Sequence, residues 1–124
     1  MRLEYDNVGL EDRLANPGDP KLESFHGQKP LVHTNIRTTT LNNIIAELEP
    51  PIDQIGYLNI DCEGHDLEVL KGLDLERYRP ALITIEALEP DVANAIISHL
   101  VASRYVHKET LRYTLLFVRS EFSA

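Results

Sequence analysis

The 124 residues carry 12 Lys and Arg against 20 Asp and Glu, a net charge of −8. That balance opposes a phosphate backbone and excludes nucleic acid as a partner. The 43% hydrophobic and 26% charged content suits one globular core, and no run approaches the roughly 18 apolar residues a membrane span requires.

The opening Met1-Arg2-Leu3-Glu4-Tyr5-Asp6-Asn7 has no apolar stretch of the kind a signal peptide carries, so a cytoplasmic protein with no membrane partner is expected. Cys62 is the single cysteine; it excludes an internal disulfide and reads as a small core residue with nothing beside it to activate a thiolate.

Residues 1–30 are polar and broken by Pro17, Gly18, Pro20, Gly27 and Pro30, which predicts an irregular N-terminal arm with a short strand near Asn7-Val8-Gly9-Leu10. Residues 31–124 carry the periodic pattern. Val32, Asn35, Ile36 and the threonines that follow favour a strand over 31–39. Thr40 is the expected N-cap of a helix whose Leu41, Ile44, Ile45 and Leu48 share one face, ended by Pro50 and Pro51.

The run Tyr57-Leu58-Asn59-Ile60-Asp61-Cys62 predicts a strand that passes through a tight turn at Glu63-Gly64 into a helix with Leu67, Leu70 and Leu73 on one side. Gly72 and Asp74 mark its end, and Asp66 and Glu68 suit its positive N-terminus. Ala81 to Glu86 is a continuous apolar strand, which predicts burial on both faces as in a parallel sheet. Pro90 opens a further helix with Val92, Ile96, Ile97 and Leu100 on its apolar stripe, and the runs Tyr105–Thr110 and Arg112–Arg119 are close enough to pair antiparallel.

Strands alternating with helices imply an α/β, Rossmann-like fold: a mainly parallel sheet with helices on both faces and an antiparallel C-terminal strand pair. Ligands in such sheets bind beyond the carboxyl ends of the strands, so Asp61, Glu63 and Glu86 are expected on one rim.

The segment Leu58-Asn59-Ile60-Asp61-Cys62-Glu63-Gly64-His65-Asp66-Leu67-Glu68-Val69-Leu70-Lys71-Gly72 resembles the FkbM family of methyltransferases, in which a strand ends in Asp-x-Glu-Gly and enters a helix closing on a Leu-x-Gly-like stop. The Thr40-Leu41 pair, the Pro80–Glu86 strand ending in glutamate and the late Tyr105 agree with it, so the resemblance covers about residues 31–119. It implies an enzyme that moves a methyl group from S-adenosylmethionine to a hydroxyl oxygen of a small molecule or a sugar. In-line transfer to oxygen needs positioned reactants and a group to take the hydroxyl proton. Asp61 and His65 are the candidate catalytic residues, and Glu63 and Glu86 the candidate substrate-binding ones.

The chain departs from such methyltransferases in one respect: none of Gly9, Gly18, Gly27 and Gly56 stands in a Gly-x-Gly turn between strand and helix, where the cofactor would be held. The expectation is therefore a partial domain, residues 31–124 being its C-terminal half, truncated and inactive as an isolated chain unless a partner chain completes the cofactor site. The rival is a non-catalytic binding or oligomerising module of the same fold, self-associating through an unpaired sheet edge.

Each candidate also has a plain structural reading. Asp61 is either catalytic or an acceptor for the turn that follows it. Glu63 either meets substrate or caps local backbone donors, and Gly64 answers to a turn that needs positive φ. His65 is a proton acceptor by its usual pKa, or a solvated first-turn residue. Glu86 either lines the acceptor pocket or bonds the loop at Glu89-Pro90-Asp91. A metal site of Asp61, Glu63, His65 and Glu86 is disfavoured, because alternate strand residues point to opposite faces. His26, His33, His99 and His107 lack ligand spacing and read as surface or loop residues.

Overall fold

The computed structural model describes residues 2–5, 12–14 and 32–123. The chain divides into two compact units, Met1–Thr38 and Thr39–Ala124. In the first, β1 (Arg2–Tyr5), β2 (Asp12–Leu14) and β3 (Val32–Asn35) form an antiparallel sheet in the order β2-β1-β3. Two of these strands lie in the stretch expected to be irregular; at three and four residues they are too short to leave a periodic signal among polar neighbours. The strand expected at residues 7–10 lies outside the described residues.

The second unit runs α1 (Leu41–Ala46), β4 (Tyr57–Ile60), α2 (Asp66–Lys71), β5 (Leu82–Glu86), α3 (Pro90–Ala102), β6 (Tyr105–Leu111) and β7 (Thr114–Arg119), closing on a 3-10 turn at Ser120–Phe122. Its sheet is open, in the order β4-β5-β7-β6. β4 and β5 pair in parallel, while β7 lies between β5 and β6 and is antiparallel to both. The expected hairpin of the last two strands is present. The expected mainly parallel sheet is corrected to a partly parallel one, because the returning strand inserts beside β5 and does not close the outer edge.

Ile60, Ile83, Ile85, Leu115 and Phe117 point to one face, where they meet Leu70, Ile96 and Leu100 from the helices and Leu73 just beyond α2; Leu41 and Ile45 of α1 pack against the same cluster. Each fully buried side chain of this size contributes about 1.5–3 kcal/mol. On β5 the alternate residues Leu82, Thr84 and Glu86 are only half-buried. That corrects the reading of two-sided burial: the apolar run is continuous in sequence, but its two faces are not equally covered.

Local chemistry sets the element ends. Thr40 caps α1, its hydroxyl accepting from the Asn43 amide at 3.2 Å. Gly72 ends α2 where the start of α1 crosses it: a Cβ there would lie 3.2 Å from Val69 O and 3.4 Å from the Thr40 Cβ. The Asn42 amide donates to Gly72 O at 3.0 Å, and its side-chain oxygen accepts from the Asp74 amide at 2.7 Å. At the amino-terminal end of β5, the buried Tyr105 hydroxyl donates to Pro80 O at 2.7 Å, and the Arg119 guanidinium donates to Arg79 O and Pro80 O. That end of the sheet is tied structurally, which leaves the opposite rim for chemistry.

Candidate functional site

β4 hands the chain to α2 through a turn of only a few residues. Glu63 at φ 50° and Gly64 at φ 98° are both left-handed; Gly64 takes that conformation without steric cost, as expected. The His65 amide closes the turn onto Cys62 O at 3.2 Å. Beneath it, Asp66 is 2% exposed. One carboxylate oxygen accepts from the Cys62 amide at 2.9 Å and the other from the Gly64 amide at 3.1 Å. Asp66 thus anchors the turn, a part the sequence reading missed: it saw only an acid suited to a helix N-terminus. The available signal was the spacing, an Asp two and four residues beyond the amides of a Gly turn.

The parallel register places Ile60 beside Ile85, so the next residue on each strand, Asp61 and Glu86, stand side by side at the carboxyl ends on the less buried face. Asp61, Asp66 and Glu86 each bring a carboxylate oxygen within 4.8 Å of the others. Asp61 is exposed and Glu86 half-buried, yet Glu86 Oε2 is buried and has no hydrogen-bond partner among the described residues. Two ionised carboxylates have no proton to share, whereas a protonated Glu86 supplies one to Asp61. Burial, that shared hydrogen bond, and the charges of Asp61, Asp66 and Glu63 push the Glu86 carboxyl from 4.5 up to about 7.

Along the same face the Tyr57 hydroxyl meets Thr84 Oγ1 at 2.7 Å, and Thr84 Oγ1 donates to Asn59 Oδ1 at 2.8 Å. The polar row therefore runs along β4 and β5 to the carboxylate pair. The remaining candidates are not members of the carboxylate group. Glu63 is exposed in the turn; His65 is half-buried at the N-cap position of α2 and makes no side-chain capping bond. Glu86 Oε2 bonds no group of the following loop.

For the metal reading, the grouped acids are Asp61, Asp66 and Glu86, not the set with Glu63 and His65, and both oxygens of Asp66 already accept backbone hydrogen bonds. Cys62 is exposed, a correction to its expected place in the core. Desolvation, followed by the charge of Asp66, raises its pKa, so it stays a thiol. His99 and His107 lie half-buried on α3 and β6, not in loops.

An open cavity of about 210 Å³ lies between the start of α3 and the β6–β7 turn, lined by residues that include Ala87, Ala93, Arg112, Tyr113 and Leu115. A buried carboxyl with a raised pKa next to a second carboxylate, on the rim where sheet ligands bind, is an arrangement for taking up and releasing one proton near neutrality.

A family model described as the methyltransferase FkbM domain matches residues 6–112 of the 124. No curated protein and no solved structure matches the chain.

Proposed function

The chain belongs to the FkbM methyltransferase family, and from that premise we propose that it serves S-adenosylmethionine-dependent methyl transfer to a hydroxyl oxygen of a small molecule or sugar, with Asp61 and Glu86 handling the proton. The observation that carries this reading is the juxtaposition of the two carboxylates, one with a buried, unpartnered oxygen. When bound, S-adenosylmethionine supplies an electrophilic methyl group. Asp61 and Glu86 fit it in charge, since a carboxylate rim complements a positive sulfonium.

The doubly ionised pair accepts one proton at about pH 7, which matches a general base to neutral conditions. An acceptor hydroxyl beside the pair gives its proton to Glu86 as its oxygen forms the new bond. Turnover is therefore expected to rise as pH passes through about 7. Asp66 keeps the turn, and with it Asp61, in place. Glu63 and His65 flank the pair, and we assign them secondary parts, Glu63 in orienting the acceptor and His65 in relaying the proton outward. The expected Rossmann-like arrangement supports the choice of rim.

None of the six glycines stands in a Gly-x-Gly turn, so the proposed hold on the cofactor rests on the carboxylate rim. Paired calorimetric titrations with S-adenosylmethionine and S-adenosylhomocysteine test it. Binding that favours the charged sulfonium and loses the preference in Asp61→Asn supports the reading. Equal affinity for both overturns the hold by the carboxylate rim, and no heat with either compound overturns cofactor binding by this chain and favours the non-catalytic module.

A further inference from the structure

We propose that the cavity between the start of α3 and the β6–β7 turn is a binding site that takes a compound of about one ring carrying a carboxylate, which Arg112 binds. The binding does not rest on the methyltransferase reading.

Arg112 and Tyr113 form the two-residue turn between β6 and β7. The Ala87 amide donates to Tyr113 O at 2.7 Å, which fixes the turn to the end of β5, one residue beyond Glu86. Arg112 has φ 58°. Hairpin turns give such positions to Asn, Asp or Gly, and a bulkier residue is strained there by about 1–2 kcal/mol. Arg79 and Arg104 share positive φ, and both are engaged, with Glu121 at 2.9 Å and Glu76 at 3.0 Å. Arg112, on the cavity lining, makes no hydrogen bond or ion pair among the described residues. An exposed cation at positive φ, with no partner among the described residues and held on a turn at the mouth of a cavity, is a candidate ligand group.

The rest of the lining sets the class of compound. Ala93 and the buried Leu115 make an apolar floor, and Tyr113, 56% exposed, offers a ring face at the mouth. Drug-sized ligands occupy roughly 300–1,000 Å³, so a cavity of about 210 Å³ takes one ring and not an extended chain. Arg112 is the cation of the lining, and its planar fork matches a carboxylate in two hydrogen bonds. Glu89 also lines the cavity and is not without a partner. The Arg112 guanidinium, at the β6–β7 turn, holds the anionic end of a bound molecule while its ring rests on Ala93 and Leu115. The same electrostatics selects the compound and orients it.

The test is a titration of the ¹⁵N-labelled chain, without S-adenosylmethionine, with 4-hydroxybenzoate and its uncharged counterpart 4-hydroxybenzamide, followed by amide shifts. The acid is expected to shift Ala87, Arg112 and Tyr113 and to bind about tenfold tighter than the amide, a factor equal to about 1.4 kcal/mol. Arg112→Gln removes that preference while its other amide signals stay in place; Arg112→Lys keeps part of it. Equal binding of the two probes, shifts confined to other residues, or no shifts overturns the proposal. Because no methyl donor is present, failure here is separate from failure to bind S-adenosylmethionine.

Discussion

Glu86 sits where the protein favours its neutral form, and that has a consequence for stability. Its carboxyl titrates at about 7 in the folded chain against 4.5 in the unfolded one, so between those values the unfolded state gives up its proton first. The stabilisation from this group is fully present below about pH 4.5 and is lost as pH rises through about 7. Glu86→Gln, which keeps the shape and removes the charge, is expected to raise the melting temperature by a few degrees at pH 8 and to change it little at pH 4, as thermal melts followed by circular dichroism will show. Asp66 is buried, and both its carboxyl oxygens accept backbone hydrogen bonds. Asp66→Ala leaves two turn amides without acceptors and is expected to cost about 3 kcal/mol, read from the urea midpoint. Of the residues on the rim, Asp61 and Glu86 were legible in sequence, because strand ends of an α/β sheet share an edge. Asp66 was not, since its value comes from the way the turn folds back over it.

Helix ends and turns carry the next level of the account. Thr40→Ala removes the cap of α1 and is expected to cost about 1 kcal/mol. Gly72→Ala pushes a methyl group toward Val69 O and Thr40, and overpacking of this kind costs about 1–3 kcal/mol. Because both positions lie at the same crossing of α1 and α2, the double variant should fall short of the sum of the two, a coupling that denaturation of all four proteins measures. Elements with a strong period were readable in advance: the three helices, the β4 turn and the β6–β7 hairpin all appear near their predicted places. β1 and β2 gave no signal because a three- or four-residue strand among polar residues has no periodicity to detect. The position of β7 between β5 and β6 also escaped, since pairing order is decided by tertiary packing and not by any local pattern.

At the scale of the molecule, the buried core of the described residues lies in the unit Thr39–Ala124, and the carboxylate rim stands on that same unit. β4 is an outer strand of its sheet, paired with β5 alone among the described residues. Unpaired edges invite a second chain, so self-association is the expected behaviour of the non-catalytic alternative, and a single monomeric species by light scattering at high concentration counts against it. Among the described residues no helix is long and apolar enough to cross a membrane. Asp61 and Glu86 are proposed to share a proton at the carboxyl ends of β4 and β5, and a carbon-13 NMR pH titration of the Glu86 side-chain carboxyl is the direct test of that pairing. The expected midpoint is about 7 in the native chain and lower in Asp61→Asn, though still above 4.5 because burial, the largest cause, remains. A native midpoint already near 4.5, or one that does not move when Asp61 is replaced, contradicts it.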